Sequence, residues 1–83
     1  MGSSNDVEVR VRETVAAALV GKVEVDILET EDDLFDAGMT SHQTVQVMLA
    51  LEDEFDVEFP DEVLNRTTFT SIRSMIEALG KIL

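Results

Sequence analysis

Asp33-Leu-Phe-Asp-Ala-Gly-Met-Thr-Ser41-His-Gln-Thr-Val45 is the stretch on which the fold turns. Gly38 interrupts whatever precedes it. Thr40, followed three residues later by Gln43, has the reciprocal pattern of a capping box, so a helix starts at Ser41. Thr44, Val47, Met48, Leu51 and Phe55 then recur at helical spacing. They predict a helix from Ser41 to about Phe55 with one core stripe, terminated by Asp56-Val-Glu-Phe-Pro60.

Toward the N-terminus, Val7, Val11, Val15, Ala18 and Leu19 form one stripe of a helix from about Asp6 to Val20. Asn5 with Glu8 reads as its capping box and Gly21 as its stop. Valines are weak helix formers, so packing must hold this helix. Lys22 to Met39 is a long connection, with Val23, Val25, Ile27, Leu28, Leu34 and Phe35 expected to pin it to the core. Thr30-Glu-Asp-Asp33 is expected to cap a single turn that positions Leu34. Beyond Pro60, Asp61 to Asn65 reads as a short helix. A last helix begins near Thr68 or Thr70, its buried face marked by Ile72, Met75, Ile76, Leu79, Ile82 and Leu83.

With no strand alternation and no internal repeat, the expected fold is all-α. It is a small four-helix bundle with three longer helices, one short helix and a long loop after the first. One domain spans 1–83, with Met1-Gly2-Ser3-Ser4 set aside as unstructured or vector-derived. Myristoylation at Gly2 would need Ser or Thr where Asp6 stands.

The chain has 83 residues, 45% hydrophobic, with four Phe and no Trp, Tyr or Cys. That content is too apolar for an acidic tail and requires an aliphatic core. The absence of cysteine fits a reducing compartment, and the expected location is cytoplasmic. Net charge is −12, from 18 acidic and 6 basic residues. Such a field repels phosphate backbones and anionic membranes, so nucleic acid and membrane insertion are not expected. It speeds encounter with basic protein surfaces. The protein is expected to be a monomer.

On a wheel of about 100° per residue from Ser41, the core stripe lies near roughly 300°. Val45 and Leu49 fall instead beside Ser41, near Glu52, with His42, Gln46 and Asp53 just beyond. Apolar side chains ringed by acids below an accessible serine form a docking surface. The alternative is a wide core stripe with Val45 and Leu49 packed inside. Ser41 lacks a nucleophile's surroundings: its only candidate base is His42, the next residue, which projects about 100° away. No Gly-x-Ser-x-Gly elbow surrounds it. The first turn of a helix suits a phosphate. From these residues alone, however, a capping or surface role is the better account of Ser41. A calcium loop fails as well. Counted from Asp32, the third position is Leu34, Gly falls seventh and Gln43 twelfth.

The ordered set Asp33-Leu34, Ala37-Gly38-Met39-Thr40-Ser41-His42, Leu51-Glu52-Asp53-Glu54-Phe55 and Phe59-Pro60-Asp61 resembles the acyl carrier protein family. Thr68-Phe69 with Ile72 and Ile76 resembles that family's start of the last helix. The resemblance implies that Ser41 carries 4′-phosphopantetheine, added from coenzyme A by a separate phosphopantetheinyl transferase. An acyl or aminoacyl group would ride on the arm as a thioester, delivered by a loading ligase and passed to an acceptor enzyme. The chain itself would not be an enzyme. The second helix would be the partner-recognition element, with His42, Val45, Gln46, Leu49, Glu52 and Asp53 as contacts. Thr40 stands where the family usually has Asp, and His42 where it usually has Leu. Gly38-Met-Thr-Ser-His42 is similar to small free-standing bacterial carriers, some of them aminoacyl carriers. The rival reading is an acidic helical adaptor with no prosthetic group.

Overall fold

The computed structural model describes residues 3–83, with side chains from Asp6 onward. Three α-helices carry the fold: α1 (Ser3–Ala18), α2 (Ser41–Phe55) and α3 (Ile72–Ile82). Two single 3-10 turns, Val25–Ile27 and Asp61–Val63, sit in the connections, and no strand occurs among the described residues. The all-helical class is as expected, but the short fourth helix is only a 3-10 turn. Val63 and Leu64 N–H groups bond back three residues, to Pro60 and Asp61 carbonyls. The Asn65 side chain then accepts from the Thr68 N–H and redirects the chain into the next turn before a helix can propagate.

Element ends follow their caps. α1 begins earlier than expected, so Asn5 lies inside the helix and is not its cap. Ser3 and Ser4 are helical, whereas Met1 and Gly2 lie outside the described residues. Gly21, at φ +78°, is the stop the sequence implied. α2 has the predicted bounds and closes on Asp56 in the left-handed conformation, φ 54° and ψ 50°. α3 starts later than expected. Ser71 is its N-cap and forms a reciprocal box with Ser74, which outcompetes Thr68 and Thr70.

The core is aliphatic. Val11, Val15 and Leu19 meet Val47 and Leu51 of α2 and Ile72, Met75 and Leu79 of α3, all fully buried. Leu34, Met39, Phe59 and Phe69 enter from the connections. Phe59 and Phe69 pack edge to face with centroids 5.6 Å apart, closing the core beneath the second 3-10 turn. Ile27 and Leu83 were expected inside but are 75% and 61% exposed. In a 3-10 turn, positions three apart eclipse, so Val25 shares its inward face with Leu28, not Ile27. Leu83 lies past the end of α3, whose buried face includes Ala78 instead. No helix among the described residues is long and apolar enough to cross a membrane.

The long connection is tied down rather than loose. One Arg12 nitrogen, Nη1, donates to the carbonyls of Val25 (3.1 Å) and Leu28 (2.8 Å). Thr30 Oγ1 donates to Glu8 Oε2 at 2.9 Å, and the Thr30 carbonyl accepts from Arg73 N–H. The loop is thus fastened to α1 and to the first turn of α3. Arg12→Met should strip the carbonyls of a charged donor and cost about 1–3 kcal/mol. The midpoint of a urea melt should fall accordingly, with faster amide exchange across residues 25–34. An unchanged midpoint would show that water replaces the guanidinium at no cost.

Candidate functional site

The site is built by the turn that precedes α2. Asp33 Oδ1 accepts from the N–H groups of Phe35 (2.8 Å) and Asp36 (3.3 Å). The Leu34 carbonyl accepts from Ala37 and Met39 N–H groups, winding the segment into a compact turn. Leu34 and Met39 are buried at its two ends. Gly38, at φ +117°, makes the reversal between them, a conformation that L side chains rarely adopt. Asp33 is therefore occupied in local backbone bonds, as is Asp32, whose Oδ2 accepts from Glu29 N–H. No His, Cys, Asp or Glu cluster able to hold a metal occurs among the described residues.

Thr40 then starts α2. Its Oγ1 accepts from Gln43 N–H at 3.2 Å, and its own N–H donates to Gln43 Oε1 at 3.0 Å. Thr44 Oγ1 donates to the Thr40 carbonyl at 3.1 Å. The cap is complete without Ser41, which is the first helical residue and exposed. Among the described residues its hydroxyl has no hydrogen-bond partner, whereas Ser71 and Ser74 bond to each other. The cap is Thr40, as the sequence implied, and of the capping or surface roles open to Ser41 the structure leaves the surface one. His42 is exposed and makes no bond to Ser41, so nothing activates the hydroxyl from within the chain.

Beside Ser41 opens a cleft of about 280 Å³ between α2 and the Leu64–Phe69 segment. Phe35, Val45, Met48, Leu64 and Phe69 give it an apolar wall, and Ser41 and Arg66 are among its polar lining. The Arg66 guanidinium lies 3.8 Å from the centroid of the Phe35 ring. Neither Arg66 nor the cleft was visible in the sequence, because two connections and α2 converge to form it. The one signal available was a cation shortly after the acidic Glu52–Glu62 segment.

On α2, Val45 and Leu49 are 50% and 55% exposed, which excludes a wide core stripe. His42, Gln46 and Asp53 are exposed with them. Glu52 is different: it is half-buried, and its Oε2 accepts from the Phe59 N–H at 2.9 Å. That carboxylate holds the α2–Pro60 connection in place, so charge reversal there would not leave folding intact.

The family model for the phosphopantetheine attachment site matches residues 10–79. An aminoacyl carrier protein of Agrobacterium fabrum is 46% identical over 59 residues, 71% of either chain. Among solved structures, this chain is similar to one in a complex of an engineered Bradyrhizobium japonicum glycine:[carrier protein] ligase with a carrier protein from Agrobacterium tumefaciens and ATP. The TM-score is 0.82 and the identity 38%, covering 92% of this chain and 99% of that one. The AMP-bound form of that complex matches with a TM-score of 0.81 and 37% identity, covering 88% of this chain and 97% of that one.

Proposed function

Since the chain belongs to the phosphopantetheine attachment site family, we propose that Ser41 is its attachment residue and that the cargo is an amino acid. Family membership makes it a carrier that presents substrates to enzymes, not a catalyst. The prosthetic group supplies the thiol that a chain with no cysteine lacks. One observation carries the assignment of Ser41. Its hydroxyl is exposed and unbonded, because Thr40 and Gln43 have already capped the helix. A phosphodiester fits there: the first-turn N–H groups of a helix lack helical acceptors, and the local dipole favours negative charge. The aminoacyl cargo is supported by the Agrobacterium relative and by the likeness to a chain solved with a glycine:[carrier protein] ligase.

The test is intact mass after incubation with coenzyme A and a broad-specificity phosphopantetheinyl transferase. A gain of one phosphopantetheine is expected. No gain with several active transferases would overturn the assignment and favour the adaptor reading.

The partners this reading requires are the transferase, an ATP-dependent amino acid ligase and an acceptor enzyme. The carrier works as a cytoplasmic monomer. His42, Val45, Gln46, Leu49 and Asp53 form the surface these enzymes read, with Glu52 bracing it from behind. Leu49→Glu should cut kcat/KM for loading by a glycine:[carrier protein] ligase by roughly 30-fold, the loss of one central apolar contact. Asp53→Lys should lower the association rate and flatten its dependence on salt. Both variants should keep the wild-type helical circular dichroism. Equal loading rates would mean that the ligase reads another face.

A further inference from the structure

We propose that Arg66 is the positioning residue for the arm, holding the phosphodiester on Ser41 through its guanidinium edge. The inference rests on Ser41 as the attachment residue. The chain has six basic side chains. Arg10 pairs with Glu54 at 3.1 Å, Arg12 holds the long loop, and Arg73 faces Glu31 at 3.8 Å. Lys22 follows α1, and Lys81 lies in the last turn of α3. Only Arg66 lines the cleft that contains Ser41.

Its surroundings are incomplete for an arginine. No carboxylate pairs with it among the described residues, and none of its side-chain donors has an acceptor there. Only the face of the guanidinium is used, against the Phe35 ring. Stacking on a ring leaves the five N–H donors at the edge free, in a fork that matches two oxygens of a phosphate.

Both halves of the stack are held by their own turns. Phe35 follows the Asp33 side-chain turn. The Arg66 carbonyl accepts from Phe69 N–H at 3.1 Å and Thr70 Oγ1 at 2.8 Å. The backbone beneath the stack is held, and the stack itself orients the guanidinium at the cleft, which lowers the entropy cost of binding an anion. The need is real in this chain. A phosphodiester adds negative charge to a protein already at −12, and a local cation offsets that. The cargo end of the arm cannot be what Arg66 recognises. An aminoacyl thioester has spent its carboxyl group and presents an ammonium, which a guanidinium repels.

The test uses ¹⁵N-labelled full-length protein before and after loading with coenzyme A and a transferase, followed by intact mass. The Arg66 Nε–H resonance is expected to move when the arm is added. The ³¹P resonance of loaded Arg66→Gln is expected to differ from wild type, with Arg66→Lys between them. High salt should reduce the difference. Backbone amide spectra of the unloaded variants report the fold, and the wild-type Nε–H signal needs no variant at all. If mass is gained but Nε–H stays put and the ³¹P shift is the same in Arg66→Gln, Arg66 is only a structural stack and the proposal falls. If wild type gains no mass, it is the Ser41 assignment that fails.

Discussion

Ser41→Ala is expected to gain no phosphopantetheine under conditions that load the wild-type chain completely, while its stability stays within about 0.5 kcal/mol of wild type. The separation of the two effects follows from the cap. Thr40 and Gln43 hold the helix start between themselves, and the Ser41 hydroxyl contributes no bond to it. Alanine is also the better helix former at that position. The neighbouring hydroxyls cannot substitute. Thr40 Oγ1 is engaged by Gln43 N–H, and Thr44 Oγ1 by the Thr40 carbonyl. Intact mass and a thermal melt on one sample check both halves. A mass gain in Ser41→Ala would place the attachment elsewhere, and a large drop in melting temperature would restore a structural role to this serine.

Leu34→Ala should be among the most damaging single changes to the fold. Leu34 is 0% exposed and anchors the turn that delivers α2, with its N–H donating to the Thr70 carbonyl at 2.7 Å. Truncating a buried leucine costs about 2–5 kcal/mol, depending on how far the site collapses. A chain of 83 residues has about 4–12 kcal/mol in all, by the usual ~0.05–0.15 kcal/mol per residue. The variant is therefore expected to lose a large fraction of its stability, read as a markedly lower melting midpoint by far-ultraviolet circular dichroism. Leu34→Met, which keeps the volume, should cost under about 1.5 kcal/mol. A Leu34→Ala melt within 1 kcal/mol of wild type would mean that the core closes over the gap.

The parts of this molecule that sequence reading recovers are those specified by neighbours in the chain. Thr40 and Gln43 are three residues apart, so the start of α2 and its box could be read directly. Helical geometry placed Val45 and Leu49 off the centre of the core stripe, and only their exposure excluded a wide stripe. What escaped depends on residues far apart. Glu52 reads as a surface acid until Phe59 is seen to donate to it. Ile27 reads as core until the 3-10 turn sets its phase. The fourth helix failed because Asn65 turns the chain after Val63, a competition of side chain with backbone that spacing does not reveal. The cleft and Arg66 needed Phe35, α2 and the Leu64–Phe69 segment brought together.

At the head of α2, threonine and serine stand side by side, but only the threonine is structural. Were the serine the cap, esterifying it would take away the acceptor that steadies the first turn, and each carrier would have to refold around its arm. With the duties split, the proposed attachment at Ser41 would leave the finished helix unchanged, and the order of folding and modification would cease to matter. The same split would let residue 40 change to another good cap without touching the Ser41 oxygen.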